Sequence, residues 1–313
     1  MKILLIGGGG YVGTSLTNFL IKKSFKVRVI DSFWFGNKLM KNKNLEIIKL
    51  DIRKIELKYF KNIDLIIHLA NVANDPAVEL NPVLSWEVNV LSSYKIAELA
   101  IKAGVKKILY ASSGSVYGVK KEKKVTENLE LVPVSTYNKT KMIAERVFMS
   151  FSKDIKICCI RPATVCGLSP RMRLDLTVNL LTLQALQNKK ITVYGGNQVR
   201  PNIHINDLIE VYYFFIKNQK LPSGFYNAGF ENLKVSTIAK IISKKTGAKI
   251  IYLKSNDIRS YRQDSSKLTK LGFRKKYGVE NAIDEMIRSY KEKKLKILPS
   301  CYTVSWMKKK KIK

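Results

Sequence analysis

The chain has 313 residues, 46% hydrophobic and 26% charged, a balance that excludes wholesale disorder and a length that excludes an unsupported small scaffold, suiting one large or two ordinary domains. Its 57 Lys and Arg against 24 Asp and Glu leave a formal net charge of +33, the kind of excess that raises nucleic-acid or anionic-membrane binding. Only 11 of those cations are arginine and the lysines are spread over the whole chain, whereas base readout favours arginine and a nucleic-acid footprint clusters, so the charge reads as a solvated lysine-rich surface with no nucleic-acid partner.

In chain order, the first apolar run is Lys2–Ile6. It is too short for the apolar core of a signal peptide, and no later window approaches the roughly 18 apolar residues of a membrane span, so a reducing, cytoplasmic setting without a span is expected. Gly7-Gly8-Gly9-Gly10-Tyr11-Val12-Gly13 follows and leads into an apolar-periodic helix over Tyr11–Lys23 carrying Leu16, Phe19 and Leu20. Strand, glycine turn and helix in this order let a backbone approach a diphosphate without an intervening Cβ, and the helix N-terminus stabilises the negative charge. The next strand, Lys26–Ile30, ends at Asp31, 18 residues past Gly13. A carboxylate there accepts hydrogen bonds from an adenosine ribose and repels a 2′-phosphate, which favours NAD over NADP.

Further near-continuous Ile, Leu and Val runs stand at Glu46–Leu50, Leu65–Leu69, Lys107–Tyr110 and Lys156–Ile160, with helices over Pro82–Ala103 and Tyr137–Ser152 in the spacers. Strands apolar on both faces and joined by crossover-length spacers predict an α/β fold with a doubly wound parallel sheet. Cys158 and Cys159 are neighbours on the last run and point to opposite faces, so they read as buried reduced thiols rather than a ligand pair. His68 ends a strand and His204 sits between Ile203 and Ile205; both read as packed structural histidines, and no metal site is expected. After Arg161-Pro162 the alternation becomes irregular, with turns at Gly195-Gly196 and Pro222-Ser223-Gly224. The expected division is a nucleotide-binding Rossmann domain over 1–165 and a smaller mixed α/β substrate domain over 166–313, with part of about 191–217 returning to the first. Residues 305–313 form a basic tail whose lysines are expected to fray.

Ser112-Ser113-Gly114-Ser115-Val116-Tyr117-Gly118 follows the strand Lys107–Tyr110, and Tyr137 and Lys141 stand four apart on one face of the helix that opens there. A phenol with a pKa of about 10 is a poor base at neutral pH, and a nearby ammonium favours its ionised form. A strand-end serine supplies a hydrogen bond to a reacting hydroxyl or carbonyl.

With these residues in view the chain resembles the extended short-chain dehydrogenases/reductases of the sugar-nucleotide epimerase/dehydratase family from Lys2 to Tyr290. The similarity runs through Leu50-Asp51-Ile52-Arg53, His68-Leu69-Ala70, Val88-Asn89-Val90, Arg161-Pro162, Arg200 through Asp207 and Asp264-Ser265-Ser266-Lys267. It implies tightly held NAD on Gly7, Gly10, Tyr11, Val12, Gly13 and Asp31, with Asp51 and Ile52 at the adenine and Leu69 and Ala70 along the diphosphate. Asn89 would lie near that diphosphate, and Tyr137 and Lys141 would reach the nicotinamide ribose. The resemblance further implies a nucleoside-diphosphate-sugar substrate in the C-terminal domain, with Ser113, Tyr137 and Lys141 catalytic. It implies a homodimer that packs the helices around Ser92–Ala103 and Tyr137–Ser152 into a four-helix bundle. On the substrate side Arg200 suits bidentate binding of a diphosphate. Asn179 and Arg259 are expected as further contacts, Asn74 as a wall of the sugar pocket, and Arg171 and Arg173 as two more cations near the cleft.

Departures from the family narrow the reaction. Similar 4,6-dehydratases carry an Asp-Glu pair, and similar decarboxylases a Glu, where this chain has Gly114 and Ser115; similar 3,5-epimerases place a Cys at the position of Ser115. Neither residue present is an acid or base near neutral pH. Cys166 reads as packing. What remains is hydride transfer at C4, with a 4-epimerase as the leading expectation. A 4-dehydrogenase or ketoreductase giving net oxidation or reduction shares every residue named. A non-catalytic NAD-binding regulator is the alternative from another class, disfavoured by the intact Ser113, Tyr137 and Lys141.

Overall fold

The computed structural model describes residues 1–255 and 260–312. Its elements run β1 (Lys2–Ile6), α1 (Tyr11–Lys22), β2 (Lys26–Asp31), β3 (Leu45–Lys49), β4 (Leu65–His68), α2 (Asp75–Val78), α3 (Pro82–Trp86), α4 (Ser92–Lys102), β5 (Lys107–Ala111), α5 (Thr136–Ser150), β6 (Lys156–Pro162) and β7 (Thr164–Cys166). They continue through α6 (Thr177–Asn188), β8 (Lys190–Tyr194), β9 (Val199–His204), α7 (Ile205–Lys217), β10 (Gly224–Ala228), β11 (Glu231–Lys234), α8 (Val235–Thr246), β12 (Lys249–Leu253), α9 (Ser266–Lys270), α10 (Val279–Lys291) and α11 (Thr303–Lys310).

Among the described residues, seven strands make one parallel sheet in the order β10-β6-β5-β4-β1-β2-β3. From β1 the chain builds outward to β2 and β3 on one side and to β4, β5 and β6 on the other, so a crevice opens at the carboxyl ends of β1 and β4. The alternation of β1 shows what holds the layers. Ile3 and Leu5 pack with Leu16 and Leu20 of α1 and with Leu208, Val211 and Phe215 of α7. Leu4 and Ile6 face Ile96, Ala97 and Ala100 of α4 and Ala144 and Phe148 of α5. Fully burying an aliphatic side chain of this size stabilises by about 1.5–3 kcal/mol, which favours aliphatic residues on both faces of β1. Cys158 and Cys159 divide between the same two clusters, and all four cysteines are buried free thiols. The smaller region comprises a sheet ordered β11-β9-β7 and the pair β12-β8. Its own core is formed by Val178 and Leu181 of α6, Ile238 and Ile242 of α8 and Ile283 of α10.

The structure departs from the sequence expectations at one strand, one helix and the tail. A seventh strand, β10, joins the main sheet from beyond the Pro222-Ser223-Gly224 turn, pairing with β6 from Gly224↔Cys158 to Ala228↔Pro162; its Gly and Asn hide it from an apolar pattern. The 191–217 stretch, expected to return in part, divides: α7 packs on the main sheet and β8 pairs with β12 in the smaller region. The helix expected over Pro82–Ala103 is interrupted by a π-helical turn at Glu87–Leu91. The tail, finally, is a docked helix through Lys310: Trp306 Nε1 donates to Trp34 O at 2.7 Å and Met307 is buried. Lys308, Lys309 and Lys310 alone of that helix's last turn face solvent.

No described helix is long and apolar enough to cross a membrane. His68 is enclosed by Tyr110 and Phe148, and burial holds its imidazole down to about 3. His204 accepts from Asn206 N–H at 3.2 Å and stacks on Tyr277.

Candidate active site

The glycine loop leaves β1 at the crevice. Gly7 has φ +90°, and a Cβ there would fall 2.3 Å from Ala70 N; a Cβ on Gly13 would fall 2.2 Å from Gly7 O. Close backbone approach therefore requires glycine at both positions. At Gly10 the same atom would meet only Gly7 O, at 3.4 Å, so that side of the loop is open to the cavity. Gly10 caps α1 without any side-chain bond, and the first turn holds no acidic residue. The first N–H groups of α1 are thus left for an external anion, as a cofactor diphosphate requires. Asp31 accepts from Gly9 N–H at 2.8 Å and from Phe33 N–H at 2.6 Å. Burial pushes its carboxyl up, against these two donors and the charge of Arg171.

Two connected spaces lie over this loop. The smaller, about 100 Å³, is lined by Asp31, Asp51, Ile52, Leu69 and Ala70 together with Trp34 and Phe35. The larger, about 710 Å³, is lined by Gly7, Gly10, Tyr11, Val12, Gly13 and Leu69 on the cofactor side and by Asn74, Ser113, Tyr137, Lys141 and Arg200 beyond it. Residues far apart in the chain thus meet at one cavity.

Tyr137 and Lys141 lie on α5, whose first turn is capped by Ser135 accepting from Asn138 N–H at 3.2 Å. Burial raises the Tyr137 phenol to about 12, with Asp75 adding to the rise and Arg173 and the Ser113 hydroxyl opposing it. Lys141 is fully buried; its Nζ donates to Ala111 O at 2.6 Å and lies 3.4 Å from Tyr110 Oη. Burial brings its ammonium down to about 7, against the pull of Glu145. Ser113 Oγ is 2.8 Å from Ser115 Oγ and accepts from Ser115 N–H at 3.2 Å. The three groups therefore converge, but the ammonium bonds to the backbone of β5 and not to the phenol.

Several expected residues sit elsewhere. Asn179 is buried behind the cavity wall: its Oδ1 accepts from Gly167 N–H at 3.1 Å, and its Nδ2 donates to Tyr11 Oη at 3.2 Å and Arg173 O at 2.9 Å. It holds the Tyr11 ring in place and does not line the cavity: both of its N–H donors and one acceptor site of its oxygen are engaged inside the protein. Asn89 is likewise buried, on the π-helical turn, and does not line either space. Its Oδ1 accepts from Val72 N–H at 2.8 Å and its Nδ2 donates to Val72 O at 3.2 Å and Thr140 Oγ1 at 3.0 Å, tying the loop after β4 to α5. Arg259 lies outside the described residues. Asn74 lines the cavity with φ +83°, a strained setting for a residue with a Cβ, and caps α2 by accepting from Ala77 N–H at 2.9 Å.

Other wall residues carry no local sequence signal for this role. Trp34 and Phe35 follow Asp31, and Thr303, Val304 and Met307 come from α11. Arg171 and Arg173 both reach the cavity. Among the described residues, no group of three or more His, Cys, Asp or Glu is placed to hold a metal ion.

Comparison with known proteins agrees with this geometry. The NAD dependent epimerase/dehydratase family matches over residues 3–229. A UDP-glucose 4-epimerase of Lactobacillus helveticus is 28% identical, over 93% of this chain and 96% of its own. A putative UDP-glucose 4-epimerase of Methanocaldococcus jannaschii is also 28% identical, over 91% of this chain and 97% of its own. Among solved structures, the UDP-glucuronic acid 4-epimerase of Bacillus cereus in complex with UDP-glucuronic acid and NAD superposes with a TM-score of 0.83 at 25% identity, covering 93% of this chain and 99% of that one.

Proposed function

The chain belongs to the NAD-dependent epimerase/dehydratase family, and on that premise we propose that it interconverts C4 epimers of a nucleoside-diphosphate hexose by hydride transfer. The observation that carries this reading is the company Ser113, Tyr137 and Lys141 keep. They share a cavity wall with Ser115, while at Gly114 an added Cβ would fall 2.9 Å from Gln263 Oε1. Three groups suited to moving one proton are present, and the two neighbouring positions carry no carboxylate to drive elimination.

In this scheme the Ser113 hydroxyl holds the C4 oxygen and the Tyr137 phenol exchanges its proton. Lys141, when protonated, sets a positive charge one helical turn along the same face and favours the phenolate. NAD, when bound, would supply the hydride chemistry. The first N–H groups of α1 and the loop Gly7, Gly10, Tyr11, Val12 and Gly13 would hold its diphosphate, and Asp31 would receive its adenosine ribose. Arg200 binds the diphosphate of the sugar nucleotide, whose hexose faces Asn74. On this reading residues 1–165 carry the cofactor loop and the reacting groups, and 166–313 contribute Arg200 to the substrate.

Identity of 28% to two proteins named as UDP-glucose 4-epimerases supports a uridine diphosphate sugar first. The same reading makes the active species a homodimer through α4 and α5, a face on which Leu91 and Tyr94 stand exposed; sedimentation at equilibrium tests it, and a monomer at assay concentration would refute it.

The reaction is tested by incubating the enzyme with UDP-, GDP-, dTDP- and CDP-hexoses, following the sugar by NMR and NADH by absorbance. A 4-epimer without net NADH is expected. A 4-keto sugar with stoichiometric NADH would make the protein a dehydrogenase, and a 4-keto-6-deoxy product would overturn the argument from Gly114 and Ser115.

A further inference from the structure

Arg171 lies in the loop between β7 and α6, and it is 5% exposed. Its guanidinium carbon stands 4.0 Å from the centre of the Phe35 ring, and its Nε has no hydrogen-bond partner. A buried guanidinium N–H without a partner is costly, because the donor loses water and gains no hydrogen bond in exchange, and Asp175 and Asp31 act on Arg171 only as nearby charges. The charged groups around it do not remove the deficit. Arg173, the like-charged neighbour, is already paired with Asp175 at 2.9 Å through Nε and 3.2 Å through Nη2, and Asp175 also accepts from Thr303 N–H at 2.9 Å. Asp31 lies near enough to act on Arg171 as a charge, but its oxygens accept from Gly9 N–H and Phe33 N–H rather than from the guanidinium. Burial, and then Arg173, work against the charge of Arg171.

What the side chain faces identifies the missing partner. Arg171 lines the large cavity with Gly7 and Gly10, and the Phe35 beneath it also lines the small space beside Asp31 and Asp51. That junction lies between the glycine loop and the adenosine end of the cleft. We infer that Arg171 is a ligand of the cofactor diphosphate, supplied across the cleft from the C-terminal half of the chain and pre-oriented by stacking on Phe35. The glycine loop and the α1 N-terminus approach the dinucleotide from one side with neutral dipoles, and Arg171 approaches from the other with a full charge. The inference rests on the cofactor assignment and not on the choice of sugar reaction, so a protein that binds ADP-ribose without turning over any sugar nucleotide leaves it standing.

The test measures binding to the full chain, stripped of co-purified cofactor, by calorimetry with ADP-ribose, NADP, UDP and adenosine. A charge-assisted hydrogen bond of ordinary strength sets the scale, so Arg171→Met is expected to weaken ADP-ribose by roughly 10–100-fold while changing UDP and adenosine less than about twofold. Without ligand the same variant is expected to be at least as stable as the wild type, since an uncompensated buried charge has been removed. Loss of UDP affinity with ADP-ribose unaffected would overturn the inference in favour of the substrate diphosphate. Loss of NADP affinity alone would move the contact to a ribose 2′-phosphate, and no change in any ligand would reduce Arg171 to packing on Phe35. If Arg171→Met does not fold, nitrogen-15 NMR of the wild type answers the same question. The Arg171 Nε–H resonance is expected to shift on adding ADP-ribose but not on adding UDP, and the reverse pattern would refute the assignment.

Discussion

Glu145→Gln removes one charge from a pair that fixes the catalytic helix, and its consequences can be worked from the structure. Arg161 on β6 donates through Nε to Glu145 Oε1 and through Nη2 to Glu145 Oε2, both at 2.8 Å, with the two side chains 1% and 0% exposed. Its Nη1 donates to Tyr117 Oη at 2.8 Å, and its guanidinium carbon sits 4.4 Å from the Phe225 ring centre. Glutamine keeps the shape and one acceptor, but its amide nitrogen then opposes a guanidinium N–H, and the buried arginine is left without a counter-ion. Breaking a buried pair from one side costs about 3–5 kcal/mol. Equilibrium urea unfolding is expected to show that loss as a lower midpoint with an unchanged slope. Because the pair anchors α5 one turn beyond Lys141, turnover should fall as well; misplacement of about 1 Å is enough for a loss on the order of 10²-fold. The double variant Glu145→Leu, Arg161→Met should regain most of the stability and none of the turnover, since an apolar pair of similar volume is neutral or better in such a site. A single-variant loss below about 1 kcal/mol with normal turnover would refute the argument.

Tyr137→Phe removes the proton-carrying oxygen and little packing, so kcat should fall by about 10²–10⁴-fold with an unchanged circular dichroism spectrum; near-normal turnover would sink the mechanism. Lys141→Met has a pH signature in the ligand-free protein. Folding lowers the lysine from 10.5 to about 7, so at and below that pH the folded state bears the whole cost of the buried charge, and the cost fades as pH rises to 10.5. The Met variant should therefore be the more stable protein at pH 7, with an advantage that shrinks toward pH 10.5, and a constant advantage in urea titrations across that window would contradict the assignment. Ending the chain after Tyr302 removes Thr303, Val304 and Met307 from the cavity wall and the Trp306–Trp34 bond; release of NADH, followed by its fluorescence, should quicken about tenfold, and an unchanged rate would mean that α11 is not part of the cofactor enclosure.

What could be read in the sequence was local. The glycine loop, Asp31 and the Tyr137–Lys141 spacing each depend on neighbours within one strand–turn–helix or one helical turn, where pattern and geometry are nearly the same statement. The misread residues depend on distant partners. Asn179 has the chemistry of a ligand, yet it is buried with its amide bonded to Tyr11, Gly167 and Arg173, and only the fold brings Tyr11 there. The tail is rich in lysine, which argued for fraying, but Val304, Trp306 and Met307 give its first turns an apolar side that docks against Trp34, 272 positions away. The break at Glu87–Leu91 follows the same rule: a continuous helix would satisfy propensity, and the π turn lets Asn89 reach Val72 and Thr140.

Asn89 and Glu145 together show why polar groups were placed in an otherwise apolar layer. Apolar burial fixes α5 against the sheet but has little directional preference, so packing alone tolerates sliding of the helix along its axis. Hydrogen bonds do not, because their strength depends on angle and distance, and in a dry interior they bind more strongly still. Asn89 holds the helix at Thr140, whose own hydroxyl donates to Tyr137 O at 2.8 Å, and Arg161 holds it at Glu145. Tyr137 and Lys141 are thereby set in register with the Ser113 turn from both ends. Arg161 reaches that turn itself through Tyr117, so the strand, the turn and the helix that furnish the three reactive groups share one buried network. Removing either anchor should therefore loosen the alignment of Tyr137 with Ser113 before it exposes any core.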